Sequence, residues 1–160
     1  MKYEFNSELI QDIQDVIDTE LNRMNNLQEL QKMIRSNGLE NADKAIQEIS
    51  EKIETITSFF CGIDVVLLAI CGCYIKFKTI VKIDGLQPNY PPIAHHFQQK
   101  MQRIQEIVLN YKQYTYQPIQ LKNWVMNNIA SELSGINTAL DILGYKIDEI
   151  DGEYTVTEKK

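Results

Sequence analysis

Cysteine, proline and glycine are scarce in this chain of 160 residues. It has three cysteines, all within residues 61–73, together with four prolines and seven glycines. An odd number of crowded cysteines makes a poor disulfide framework, which predicts a reduced, cytoplasmic protein. Because so few residues interrupt a helix, and because the length suits one core, we expect a single domain, residues 1–160, rich in helix.

Positive charge is also in short supply. The chain has 16 lysines and arginines against 22 acidic residues, a net charge of −6, and its arginines are Arg23, Arg35 and Arg103. Such a balance disfavours a phosphate-binding surface, so nucleic acid is not an expected partner. The N-terminal sequence has no basic segment followed by an apolar one, so no secretory signal is predicted.

No catalytic signature emerges from the motifs. Cys71 and Cys73 could join His95 and His96 in a zinc site, but the spacing within each pair is shorter than a zinc finger uses. Cysteines in an apolar segment more often serve as small core residues. We therefore expect no enzymatic activity, no cofactor and no metal, and inert thiols, since no cation is adjacent to them in sequence.

Asp64 stands out because it is the one charge between Glu54 and Lys76. Burying an unpaired carboxylate is costly or leaves it protonated, so Asp64 could be a functional acid in a dry pocket. The favoured interpretation is structural. Asp64 would cap a helix that restarts after Gly62, or face a lysine or tyrosine of another helix.

The first helix is predicted over residues 7–37. Apolar residues recur there every three or four positions without an interrupting proline or glycine. Asn6 or Ser7 can cap its start, and Gly38 can end it in a left-handed conformation.

A heptad pattern predicts the second helix over residues 41–82, beginning at the N-cap Asn41. Its first half has one apolar face, whereas residues 59–75 are apolar on every side. Beyond Tyr74 an alternating pattern competes, so a break followed by a strand stays open, with residues 74–84 as helix or strand.

The rest of the chain divides at proline and glycine. Residues 83–92 contain three prolines and predict a loop, followed by helices over 92–116 and 118–143. A β-hairpin is predicted over 145–158 around a type I′ turn at Asp151 and Gly152. This turn would place Ile147 opposite Val156 and Glu149 opposite Tyr154, with Tyr145 on the same apolar face as Ile147.

These elements predict an all-α fold: an antiparallel bundle of about four helices, the first two long, with a short C-terminal β-hairpin. A bundle of this size has little room to cover every side of residues 59–75. We therefore expect a non-enzymatic helical protein–protein interaction module, self-associating as a homo-oligomer, that binds or occludes a partner protein. The expected surface consists of Phe59, Val66, Leu67, Ile70 and Tyr74.

Two alternatives remain. Residues 55–75 are long enough to cross a bilayer and are followed by Lys76, Lys78 and Lys82, so the second choice is a membrane-active protein that inserts residues 59–75. The third is a nucleic-acid-binding regulator whose last helix and hairpin form a recognition helix and wing. The acidic side chains of the hairpin argue against that third choice.

Overall fold

The computed structural model describes residues 6–38, 40, 42–83, 91–109 and 119–159. They form four α-helices and two antiparallel β-hairpins, which confirms the predicted helical bundle with a C-terminal hairpin. The helices are α1 (Ser7–Asn37), α2 (Ala42–Val66), α3 (Pro91–Leu109) and α4 (Ile119–Leu143). The strands are β1 (Cys73–Lys76), β2 (Thr79–Lys82), β3 (Tyr145–Ile150) and β4 (Glu153–Glu158).

The ends of α1 are set by the residues that the sequence indicates. The side chain of Asn6 accepts hydrogen bonds from the backbone nitrogens of Glu8 and Leu9, at 3.0 and 3.3 Å. Gly38 follows the last turn with φ +56°, a left-handed conformation that glycine adopts without a steric penalty.

The second helix is shorter than predicted. It ends at Val66 and continues as a single π-helical segment, Leu67–Cys71, after which Gly72 adopts φ +64°. Residues 73–82 then form the β1–β2 hairpin, so the predicted helix over 41–82 is wrong in its last part and the helix-break-strand alternative holds. Ile75, Ile80 and Val81 favour the extended conformation because their β-branched side chains fit a pleated strand.

The other boundaries lie close to those predicted. Helix α4 ends at Leu143, Gly144 follows with φ +87°, and β3 begins at Tyr145. The second hairpin has the predicted register, Ile147 opposite Val156 and Glu149 opposite Tyr154. Asp151 and Gly152 both have positive φ, as a type I′ turn requires. Most of the predicted loop 83–92 and the end of the predicted helix 92–116 lie outside the described residues.

Helices α2 and α4 form the central pair of the bundle. The side chain of Ser58 donates to Asn128, and Gly62 meets the backbone of Glu132 and Ile136, so residue numbers rise together along the two helices. They therefore run parallel, as alternate helices of an up-and-down chain do, while α1 packs antiparallel on α2.

The core is one continuous apolar cluster between these layers. It receives Ile13 and Ile17 from α1, and the β3–β4 hairpin closes one side of it with Tyr145 and Val156. The rings of Phe97 on α3 and Tyr154 on β4 lie 5.2 Å apart in a tilted arrangement. The C-terminal hairpin thus covers α3 and α4 with the apolar face that the sequence predicts.

Candidate interaction site

The structure divides the five residues of the predicted partner surface. Val66, Leu67 and Ile70 are fully buried within the protein's own core, while Phe59 and Tyr74 are half-buried. The prediction that the first three face a partner is wrong. Helix periodicity suggests that the chain cannot cover every side of this segment. The close approach of α2 to α4 and the turn into β1 do cover the sides that carry Val66, Leu67 and Ile70.

Residues 42–71 nevertheless form the one helical run among the described residues that is long and apolar enough to cross a membrane. A third of its most apolar window is buried inside the fold. Length and composition alone admit such a span, and the core helix of a soluble protein satisfies the same conditions.

A polar cluster joins α3 to α4. Glu132 accepts from His96 at 2.8 Å and pairs with Lys100 at 3.2 Å, and its side chain is 14% exposed. His96 and Lys100 lie one turn apart on α3 and face the same carboxylate. The sequence does not reveal this bridge, because Glu132 is far away along the chain. His95 is exposed and His96 is half-buried.

Cys61 lies close to this cluster, but its environment disfavours a thiolate. Burial raises the pKa of the Cys61 thiol, the carboxylates of Glu132 and Asp64 raise it further, and Lys100 opposes them. A raised pKa lowers the fraction of thiolate at neutral pH. The contacts of Glu132 with His96 and Lys100 link α4 to α3.

The other two cysteines are buried. The thiol of Cys73 donates to the carbonyl of Cys71 at 3.5 Å, and burial raises the pKa of Cys73 although Lys82 lowers it. Lys82 and Lys100 are thus cations that come near the thiols only in the folded chain. Within the described ranges, no group of three histidine, cysteine or acidic side chains is placed to hold a metal ion.

Asp64 has a role that neither interpretation of the sequence included. Its Oδ1 atom accepts a hydrogen bond of 2.7 Å from the backbone nitrogen of Ile75 in β1. Burial raises the pKa of the Asp64 carboxyl, and the hydrogen bond from Ile75 opposes that rise. The residue fixes the edge of the first hairpin to α2.

The opposite edge of the same hairpin is fixed to α1. The Oε1 atom of Gln14 accepts from the nitrogen of Ile80 at 2.9 Å, and its Nε2 atom donates to the carbonyl of Lys78 at 2.9 Å. Ile75 and Ile80 are directly opposite each other. In a hairpin with a two-residue turn, the backbone N–H groups of this pair point away from the partner strand. The Ile75–Ile80 pair, here called the rung, is therefore hydrogen-bonded to a helix on each side.

The tip of this hairpin presents the most exposed apolar side chain among the described residues. Phe77 is 92% exposed and has φ +60°, a conformation that bulky residues rarely adopt. Lys76 and Lys78 flank it, and both are exposed. Most of the described large apolar side chains lie in the core or pack against it, so this exposed tip is a candidate site for contact with a binding partner or surface.

A second exposed apolar region lies where α1 and α2 extend past the core cluster. We define the helical arm as residues 24–37 of α1 and 42–55 of α2. The described apolar residues of α1 within it are half-buried or exposed, and Leu30 and Met33 are 44% and 60% exposed. The arm is held together by Gln31, which is buried and donates to the Ile46 carbonyl at 3.1 Å and to Ser50 at 2.8 Å.

Comparisons of the chain with protein-family models, with curated proteins and with solved structures returned no match.

Proposed function

We propose that the protein is a non-enzymatic helical interaction module that self-associates through the helical arm. The observation that carries the proposal is the exposure of Leu30 and Met33, three residues apart on one face of α1. Residues at this spacing are neighbours on a helix surface, so they form one apolar patch beside the half-buried Leu27 and Ile34. The proposed contact surface is thus the helical arm and not the surface predicted around Leu67.

A second copy of the chain suits this arm as partner. Two antiparallel helices leave one side of their apolar seam open, and two such hairpins can close each other's seam as a four-helix bundle. The charged residues of the arm have both signs, as the Glu29–Lys32 ion pair shows, so two copies do not face a surface of one charge. The buried Gln31 fixes the register of α1 on α2, as single polar seam residues do in coiled coils.

Light scattering on the purified protein tests this proposal. At tens of micromolar we expect a molar mass of about twice the 18.6 kDa of one chain. Leu30→Lys combined with Met33→Glu should return the mass to one chain while circular dichroism stays native. Val108→Lys is the matched control, since Val108 is 52% exposed and belongs to α3, which is not part of the arm. A wild-type protein that remains monomeric would overturn the proposal.

Insertion of residues 59–75 into a membrane is the second candidate, supported by the length and apolar character of residues 42–71. It requires Leu67 and Ile70, which are fully buried, to leave the core. Insertion should therefore abolish the near-ultraviolet circular dichroism of the folded protein as lipid is added. Retention of that signal in the lipid-bound protein contradicts this candidate.

A further inference from the structure

The tip of the β1–β2 hairpin combines exposure with backbone strain. A phenylalanine at φ +60° brings its Cβ close to the backbone, a conformation that glycine or asparagine adopts more readily. Phe77 gains no burial in return, because it is 92% exposed. The fold itself does not require an aromatic ring at this position.

The tip is also held in place. The rung formed by Ile75 and Ile80 is bonded to Asp64 on one side and to Gln14 on the other, and Gln14 additionally binds the carbonyl of Lys78. These bonds connect the hairpin to two helices immediately below its turn. The ring is therefore presented on a fixed support, and it cannot fold back onto the core without breaking them.

Positive charge surrounds the ring in a chain of net charge −6. Lys76 and Lys78 are both exposed, and neither forms an ion pair with a described carboxylate. On α1, Asp15 and Asp18 accept hydrogen bonds from the side chains of Gln11 and Gln14, and Gln14 also donates to the carbonyl of Lys78 at the tip. An anionic surface that contacts the tip thus meets two exposed lysines and an exposed aromatic ring.

The shape of the tip favours lipid over a protein pocket. A stable protein interface buries about 800 Å² on each partner, far more than the end of a two-stranded hairpin with four-residue strands offers. A bilayer interface needs no complementary shape, and it accepts aromatic rings at the headgroup level with lysines beside the anionic lipids. Tyr74, half-buried on the hairpin face opposite to Ile75, adds a second ring of suitable polarity.

We propose that the β1–β2 hairpin docks reversibly onto anionic membranes, with Phe77 entering the interface and Lys76 and Lys78 binding lipid phosphate and carboxylate groups. This inference is independent of self-association through the arm, since the two surfaces share no residue. It also differs from insertion of residues 59–75, because the folded core stays intact.

Co-sedimentation with vesicles tests the docking. The full chain should bind vesicles of phosphatidylcholine with about 30% phosphatidylserine at 0.1 M salt, and binding should fall sharply at 0.5 M salt and on phosphatidylcholine alone. Phe77→Gly should lower the partition coefficient about tenfold or more. Lys76→Gln and Lys78→Gln should each lower it about fivefold on the anionic vesicles only.

Two controls separate docking from misfolding. Glycine adopts φ +60° readily, so Phe77→Gly should keep the wild-type melting temperature or raise it, and Phe77→Asn should behave in the same way. Ile150→Ser removes an apolar side chain, 61% exposed, from the tip region of the other hairpin, and it should leave vesicle binding unchanged.

Three results would overturn the proposal. The first is a natively folded wild-type protein that does not bind the anionic vesicles. The second is a Phe77→Gly variant that binds as the wild type does. The third is binding that resists 0.5 M salt and abolishes the near-ultraviolet circular dichroism, which indicates insertion of the apolar helix.

Discussion

Gly62 on α2 and Gly135 on α4 bring the backbones of the two central helices into direct contact. A Cβ atom added to Gly62 would overlap the carbonyl oxygen of Glu132, and one added to Gly135 would overlap the carbonyl oxygen of Phe59. Each glycine thus faces the carbonyl three residues before the other glycine. This reciprocal arrangement sets the spacing of the helices and explains why the segment around Leu67 is buried so completely.

Alanine at either glycine should destabilise the protein. The added methyl group meets rigid backbone, so we expect Gly62→Ala and Gly135→Ala each to lower the free energy of unfolding by about 1–3 kcal/mol. In an open helix the same change stabilises by about 0.5–1 kcal/mol, so the sign distinguishes a close contact from a loose one. Urea denaturation measures the effect, with Ser134→Ala on the exposed face of α4 as control. A stabilised Gly62→Ala variant would contradict the close crossing.

Two adjacent leucines should respond differently to aspartate. Leu67 is fully buried and Leu68 is 40% exposed. A carboxylate at Leu67 has no partner in the core, so Leu67→Asp should unfold the chain or cost several kcal/mol. Leu68→Asp should remain folded. Thermal melts followed by circular dichroism decide the question, and equal behaviour of the two variants would show that this segment is not the core of the fold.

The carboxyl of Asp64 should make stability depend on pH. Burial raises its pKa in the folded protein above the ordinary value of 3.8, so folding favours the protonated form. The contribution to stability is complete below the unfolded pKa and is lost as the pH rises through the folded pKa.

The Asp64→Asn variant keeps a side-chain oxygen that can accept from Ile75, but its amide cannot ionise. We therefore expect Asp64→Asn to be more stable than the wild type at pH 7, with the difference shrinking as the pH falls toward the ordinary pKa of 3.8 and smallest below it. Asp64→Ala removes the acceptor and should be less stable than Asp64→Asn at either pH. Melting temperatures across pH 3–8 measure this, and an advantage of asparagine that grows toward low pH would refute the assigned direction.

The C-terminal hairpin should act as a cover for the bundle. Deleting residues 145–160 exposes the surface beneath Tyr145 and Val156, which are 6% and 9% exposed in the full chain. At about 25 cal/mol per Å², uncovering a few hundred Å² of apolar surface costs several kcal/mol at most. We expect a lower melting temperature and increased binding of a hydrophobic dye.

Point variants test whether the packing contacts of this hairpin account for the stability that is lost when the hairpin is deleted. Val156→Ala should reproduce part of the loss, whereas Thr155→Ala, on an exposed position of β4, should not. If the truncated chain melts as the full chain does and loses only a binding activity, the hairpin is a recognition element and the winged-helix alternative gains support.

The sequence by itself determined the elements whose ends are set by neighbouring residues. Asn6 and Gly38 set the ends of α1 through a side-chain cap and a left-handed residue, and Asp151 with Gly152 set the register of the last hairpin through their positive φ. Each of these signals acts over a few residues of chain, so it can be read without knowing the rest of the fold.

Tertiary structure decided the conformation of residues 74–82 and the surface of the protein. Their sequence supports both a heptad helix and an alternating strand, and the strand is selected by hydrogen bonds from Ile75 to Asp64 and from Ile80 to Gln14. Gln14 lies more than 60 positions away, beyond the reach of periodicity. Burial of Leu67 likewise depends on the contact between Gly62 and Gly135, because the distance between two helices depends on both of their surfaces.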